Sequence, residues 1–360
     1  MTDSPDKPLK QRTPRRQSNR VRVEDVAAVA GVSGATVSRV INQTGPVSPK
    51  LRERIERAVI ELGYVPNGAA RALASHRTRA IGVIIPTLEN ANFAITAEGA
   101  QRYLINAGYQ MLVASSDYDP AQEWAHIRSL VAHGIDGIIL VGARRSDEVI
   151  EYLRSRRLPY VVTWSLADKD TPSVGFDNGE AARRLAKHLL DLGHRQVGVV
   201  AGLTKNNDRA AARLDGIRRA FRERGLEFPR ELLIERPYRI AEGQLALRAL
   251  WAMSPPPTAV ICGNDQLAFG ALIECHRQGV VVPDQLSIVG FDDLEFASQI
   301  LPTLTTIHVP AEEIGRRAAA FLVDRLDGLT SQMTTEVAVS LVVRDSSGPP
   351  PALAVAGGVT

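Results

Sequence analysis

Cysteine is almost absent from this 360-residue chain, with Cys262 and Cys275 as the only two. No metal-ligand spacing surrounds them. A disulfide scaffold and a cysteine-based metal site are excluded, and both read as buried free thiols in a reducing cytosol. No apolar run approaches the roughly 20 residues a membrane helix needs. The first 22 residues are polar and basic, unlike a secretory leader. These absences predict a cytoplasmic protein with no membrane contact. The chain also lacks a Gly-x-x-x-x-Gly-Lys phosphate loop, a Gly-x-Ser-x-Gly elbow and a dinucleotide fingerprint after a strand. Asp265 and Asp292 are the nearest thing to an acid pair, and isolated carboxylates of this kind read as ligand contacts or structural groups. No enzyme activity, metal or cofactor is expected.

What is present divides unevenly by charge. Residues 1–80 carry 15 Lys or Arg against 7 Asp or Glu, a net +8. Totals of 43 and 40 leave 28 against 33, or −5, for the remainder. A near-neutral sum therefore hides a basic head on an acidic body. Such a head attracts phosphate and makes its binding salt-dependent. The length allows two or three domains, and 44% hydrophobic residues support a sizeable core.

The head reads as three short helices. Glu24 and Asp25 suit a helix N-terminus, Val26, Ala27 and Ala30 share one face, and Gly31 stops the helix. Val32 should pack between helices, and Ser33 should cap the second. In that helix Val37, Val40 and Ile41 face inward, leaving Gly34, Ala35, Ser38, Arg39 and Asn42 outward. Ser48-Pro49 starts a third helix with a stripe of Leu51, Ile55, Ala58, Val59 and Leu62, ended by Gly63. A short helix, a glycine turn and a capped second helix suit a DNA-reading helix-turn-helix.

After Arg79 short apolar strands alternate with amphipathic helices. The strands are 81–85, 110–114, 137–141, 160–163, 174–176, 197–201, 232–234, 259–262 and 287–290. The helices between them are 94–106, 121–133, 147–156, 179–192, 210–224, 241–253 and 266–278. This alternation predicts parallel sheets with crossover helices, and runs such as Ile138-Ile139-Leu140-Val141 suit strands buried on both faces. Two such sets imply two lobes, with ligands bound at the carboxyl ends of the strands.

Residues 22–345 resemble the lactose/galactose repressor family of bacterial transcription regulators. The motifs that carry this are Asp25-Val26-Ala27, Ala30-Gly31-Val32-Ser33, Thr36-Val37-Ser38-Arg39-Val40-Ile41-Asn42 and Leu62-Gly63-Tyr64-Val65-Pro66-Asn67. The resemblance implies an all-α helix-turn-helix head and hinge helix, then a two-lobed α/β periplasmic-binding-protein-like body. The expected divisions are a disordered basic arm at 1–20, the DNA-binding domain at 21–66, the hinge at 67–78, the body at 79–345 and a disordered tail at 346–360. Within the body the N-lobe would be about 79–177 plus 309–337, and the C-lobe about 178–308 plus 338–345.

The same resemblance places the second helix in the major groove, with Gly34 and Ala35 at early base-selecting positions. Arg39 follows, able to donate twice to a guanine edge. Ser33, Thr36, Ser38 and Asn42 match phosphate or adjacent-edge contacts. Asn67 would cap the hinge helix, and Leu73 matches a wedge into the minor groove at a central CpG of a near-palindromic operator. In the cleft Arg213, Asn264 and Asp292 match polar ligand positions, while Phe93 and Tyr238 match apolar ones. Asn90, Asn92, Trp164 and Arg209 complete the set. Aromatic faces with forked polar groups suit a sugar; the Lys205, Arg209 and Arg213 cations suit a sugar acid. The implied function is a homodimeric, effector-controlled repressor of a sugar or sugar-acid operon. A global regulator gated by a phosphocarrier protein and a sugar-binding transport protein are the alternatives.

Overall fold

The computed structural model describes residues 21–42, 45–65 and 77–351. The expected basic arm, the hinge helix with Asn67 and Leu73, and residues 352–360 lie outside these. The chain divides into two compact units between Thr78 and Arg79.

The head holds α1 (Val23–Ala30), α2 (Gly34–Asn42) and α3 (Pro49–Glu61). The Arg22 amide donates to Asp25 at 2.7 Å, tying off the start of α1. Gly31 ends it with φ +61°, a conformation that costs a residue with a Cβ. Val26, Ala27, Ala30, Val37, Val40, Ile55 and Ala58 form one core, with Val32, Ile41 and Leu51 packed at its edge. Each fully buried Val or Ile contributes about 1.5–3 kcal/mol, which is what holds so small a unit together.

The body begins with β1 (Ala80–Ile85), α4 (Ala91–Asn106), β2 (Gln110–Ser115), α5 (Pro120–Ala132), β3 (Gly137–Val141), α6 (Asp147–Ser155), β4 (Tyr160–Thr163) and β5 (Ser173–Gly175). It continues with α7 (Asn178–Asp191), β6 (Val197–Gly202), α8 (Asp208–Glu223), β7 (Leu233–Arg236), α9 (Ile240–Trp251), β8 (Ala259–Cys262), α10 (Asp265–Gln278) and β9 (Ser287–Val289). Last come β10 (Thr306–His308), α11 (Ala311–Leu326), β11 (Thr334–Glu336) and β12 (Ser340–Val342).

Two parallel sheets result. The first has the order β11-β5-β4-β3-β1-β2 and the second β7-β6-β8-β9. β10 and β12 pair antiparallel beside them. The chain leaves the first sheet after β5. It returns through α11, which packs on α4, and adds β11 beside β5 before leaving again. These crossings were invisible to periodicity.

Helix pairs pack with backbones almost in contact. A Cβ at Gly99 of α4 would strike the Glu312 backbone of α11, and one at Gly315 would strike Thr96. The same holds for Gly216 against Gly179 in the α7–α8 pair, and for Gly243 and Gly270 in the α9–α10 pair.

The expected disordered tail is corrected over its described part. Ser346 is fully buried; its carbonyl accepts from Ile288 N at 2.8 Å, and its hydroxyl donates to Ile288 O at 2.6 Å. Gly348 O lies 2.8 Å from Nε2 of the buried His194, and Ser347 Oγ lies 3.0 Å from His188 Nε2. Burial lowers the pKa of both histidines. Residues 346–348 thus line the open edge of β9, which covers an edge strand that would otherwise seek a partner.

Candidate functional site

The strands of both sheets end at one cleft, and the residues after them turn into it. Asn90 and Phe93 follow β1, Tyr118 follows β2 and Trp164 follows β4. From the second sheet come Asn207, Arg209 and Arg213 after β6, Tyr238 after β7, Asn264 after β8 and Asp292 after β9. These ten line one inner cavity. Eight of the nine cleft residues expected from sequence are among them. Asn92 is the exception: it is buried in the first turn of α4, behind the lining and beside Asp292. Tyr118 and Asn207 were missed.

Each part is fixed by local chemistry. Asn90, Asn207 and Asn264 are helix N-caps, accepting from Asn92 N at 3.1 Å, Ala210 N at 3.3 Å and Leu267 N at 3.0 Å. A short polar side chain at that position satisfies an otherwise orphan amide. Three helix N-termini therefore open on the cleft.

Rings form its floor. Phe93 meets Trp164 edge-on at 5.5 Å, Trp164 meets Phe176 at 6.3 Å and Phe176 stacks on Phe291 at 6.2 Å. The Trp164 indole donates to Thr96 Oγ1 at 3.1 Å, so only its carbon face is left for a ligand. The Tyr238 ring lies directly over Gly202, where a Cβ would collide with it.

Arg213 is held on nearly every side. Its Nε donates to Asn178 Oδ1 at 2.9 Å, its Nη1 to Gly263 O at 2.8 Å, and its guanidinium lies 3.6 Å over the Phe291 ring. Asn178 in turn donates to Trp164 O at 2.7 Å, so the Asp177-Asn178 turn braces the cleft without lining the inner cavity. Arg213 Nη2 faces Asp292 Oδ1 at 3.6 Å, an ion pair without a hydrogen bond. Burial pushes the Asp292 carboxyl up to about 7, against the pull of Arg213. Asp265 is pushed up to about 6 by burial, but Thr306 Oγ1 at 2.6 Å and Leu294 N at 2.8 Å satisfy it. Asp265 is structural; Asp292 faces the cavity.

Two clasps join the sheets across the cleft. Asp208, at the start of α8, accepts from Ala143 N at 2.8 Å and Ser165 Oγ at 2.9 Å, both beyond strands of the first sheet. Burial opposes its ionisation, but Arg209, the Ala143 amide and Ser165 outweigh it and hold the carboxyl below its ordinary value. Gly142, with φ +84°, leaves no Cβ to block Asp208 and Arg209. At the other rim Glu89 accepts from Gln266 Nε2 through its carbonyl at 3.0 Å and pairs with Arg239 at 3.2 Å.

Eight described non-glycine residues have positive φ, and six of them sit at these strand ends: Asp117, Tyr118, Trp164, Asn206, Asp292 and Asp293. Such conformations cluster at ligand sites because the surroundings must hold them in place. The inner cavity measures about 20 Å³, room for one water. Outside Tyr118 and Arg209 lies a pocket of about 680 Å³ lined also by Trp124, Arg144 and Lys205. A ligand larger than water enters the inner cavity only as its walls part.

On the head, Ser33 caps α2: Thr36 N donates to its Oγ at 3.3 Å. Ala35, Ser38 and Arg39 are exposed, Gly34 and Thr36 half-buried, and Asn42 ends the helix. Of the outward face expected from sequence, Ala35, Ser38 and Arg39 are presented to solvent.

A helix-turn-helix head followed by a two-sheet body with a cleft at its strand ends defines a class: DNA-binding regulators built on a ligand-binding body. Residues 22–67 match the description "Bacterial regulatory proteins, lacI family", and residues 186–347 match "Periplasmic binding protein-like domain". The HTH-type transcriptional repressor PurR of Klebsiella pneumoniae (strain 342) is 32% identical over 307 residues, covering 84% of this chain and 90% of the relative. The structure of the lac repressor dimer bound to operator and the anti-inducer ONPF superposes with a TM-score of 0.82 at 28% identity, covering 92% of this chain and 100% of that one. The transcriptional regulator CelR–cellobiose complex gives a TM-score of 0.67 at 30% identity, covering 91% and 100%. The chain belongs to the lacI family of bacterial regulatory proteins and is a DNA-binding transcriptional repressor, not an enzyme. Among the described residues no helix is long and apolar enough to cross a membrane.

Proposed function

We propose that this repressor binds a near-palindromic operator as a cytoplasmic homodimer, and that a carbohydrate in the cleft sets its operator affinity. The observation that carries the reading is the convergence of polar forks and aromatic faces from both sheets on one cavity. A sugar ring stacks its C–H face on Phe93, Trp164 or Tyr238 while Arg213, Asn264 and Asp292 take its hydroxyls. The cations favour a neutral sugar over a sugar acid. Arg209 already pairs with Asp208 at 2.8 Å and Arg213 faces Asp292, so an added carboxylate would have to displace a resident one. Because the cavity walls come from two sheets, a ligand that favours one closure state shifts the population of that state. The relative's cellobiose complex is consistent with this class of effector.

A second copy of the chain is supported by the edge strand β2. Leu112 and Val113 are 38% and 42% exposed there, beside exposed Ile95 and Ile105 on α4. An apolar edge of this kind calls for a cover. On the head, the exposed Arg39 reads guanine, with Ala35 and Ser38 beside it. The hinge reading of Asn67 and Leu73 at a central CpG stands as part of the same proposal.

The test is a mobility-shift titration on an operator selected from random duplexes, with and without D-glucose, D-galactose, D-ribose, cellobiose and D-gluconate. A neutral sugar should change operator affinity at least fivefold, on the scale of ordinary coupling energies. A response to gluconate alone would replace the neutral sugar with an acid. An asymmetric footprint bound by one copy would reject the palindromic dimer.

A further inference from the structure

We propose that Tyr118 contacts the effector directly through its hydroxyl and sets selectivity for one sugar hydroxyl; this rests on the carbohydrate reading above. Tyr118 is not among the cleft residues expected from sequence. Its position is built. Asp117 N donates to Pro86 O at 2.7 Å and Asp119 N to Ser116 O at 2.8 Å, and between them Asp117 and Tyr118 take φ values of 49° and 58°. Neither residue is glycine, so the turn is held against local preference. Its result is that the ring packs on the main core while the hydroxyl points inward.

That hydroxyl is buried and has no hydrogen-bond partner. Buried tyrosine hydroxyls almost always find one. A second unpartnered buried atom belongs to the same cavity, Asp292 Oδ1. Tyr118 stands close to Arg209, Tyr238, Arg213 and Asp292. The unmet pair therefore holds a carboxyl acceptor and a hydroxyl that donates or accepts. A pair of neighbouring sugar hydroxyls, each donating once and accepting once, satisfies both. Burial keeps the phenol protonated far above neutral pH, so both roles stay open to it. Tyr118 and Arg209 are also the two residues shared by the inner cavity and the outer pocket. Tyr118 therefore stands with Arg209 at the boundary between the two.

The experiment uses the full chain and two variants, Tyr118→Phe and Tyr118→Leu. Each is melted alone, and each is titrated calorimetrically with D-glucose, D-galactose, D-ribose and cellobiose and with the monodeoxy analogues of the sugar that binds best. Tyr118→Phe should melt at or above the wild-type temperature, because it removes an unpaired buried hydroxyl. Its dissociation constant for the best sugar should rise about tenfold, the loss expected for one hydrogen bond. One deoxy analogue should bind wild type and Tyr118→Phe equally, which identifies the hydroxyl read. Tyr118→Leu should lose the same selectivity and more affinity. A lower melting temperature with unchanged affinity would make the role structural and overturn the proposal, as would failure of Tyr118→Phe to fold. If none of the sugars binds wild type, the carbohydrate reading falls and this proposal with it.

Discussion

Replacing Asp208 with alanine should open the cleft without unfolding the body. The Asp208 carboxylate makes two bonds across the cleft, to Ala143 N at 2.8 Å and Ser165 Oγ at 2.9 Å. Bonds to a charged group contribute about 1.5–3 kcal/mol each when shielded. The Asp208 side chain is 21% exposed, and Ala143 N gains water once the carboxylate is gone. Solvent screening takes each bond below that range, to about 1 kcal/mol, so the pair contributes about 2 kcal/mol, or roughly a 30-fold shift between closed and open forms. Spin labels at E148C and N206C, two positions lining the outer pocket, report the change by pulsed electron resonance. Both native cysteines are buried and should stay unlabelled. Wild type should give one short distance, and D208A a distribution dominated by longer ones. Ser165→Ala, which removes one bond, should fall between. An unaltered distribution in D208A would refute the reasoning, because the clasp would then carry no free energy of closure. So would a large fall in thermal stability, since Asp208 would then be holding up the fold itself.

Two further outcomes follow from charge. Asp292 holds its proton to about pH 7 when folded, against about 3.9 when unfolded. The folded state therefore binds the extra proton between those values, and stability falls as pH rises from about 4 to 7. Asp292→Asn removes that slope, so denaturant midpoints should show the variant gaining on wild type across this window and holding its gain above it; parallel curves would show that the carboxyl ionises normally. Arg39→Ala should cost about 1–3 kcal/mol at one base pair of each half-site and relax selection there, read by binding-site selection from random duplexes. Equal weakening at every sequence would make Arg39 a phosphate contact.

The periodicity of the sequence located β1 to β9, and with them the cleft, but not the short β10, β11 and β12 or α11 between them. Trp164 was legible because it stands just past an apolar run, where a parallel strand delivers its next residue; Phe93, Arg213 and Asp292 were found through the family resemblance, and Arg213 lies on α8, well beyond the end of β6. Helix starts were less legible. α4 begins at Ala91 and α8 at Asp208, each before the first apolar repeat, because an asparagine cap and a polar first turn carry no period. Asn207 was hidden for that reason, its neighbour Asn206 making the pair look like a loop. Tyr118 obeyed the same strand-end rule as Trp164, but Asp117 and Asp119 around it imitate a surface turn. The strap at 346–348 left no signal at all. Its partners, the Ser287, Thr305, His188 and His194 side chains, lie far away in the chain and mark no local period, and its proline-rich continuation argued for disorder.

The glycine-paired helices have a mechanical consequence. Where two helices touch backbone to backbone there is no side-chain cushion to compress, so neither can slide past the other by a fraction of a turn. Each sheet with its helices then behaves as a stiff plate. A disturbance at the cleft cannot dissipate as local repacking; it must turn one plate against the other, and the swing is largest far from the pivot. β1 starts at Ala80, one residue into the body, so the chain arriving from the head is anchored straight to such a plate. Loosening any of those interlocks, even with a single methyl, would blunt the lever before it altered the shape of the pocket.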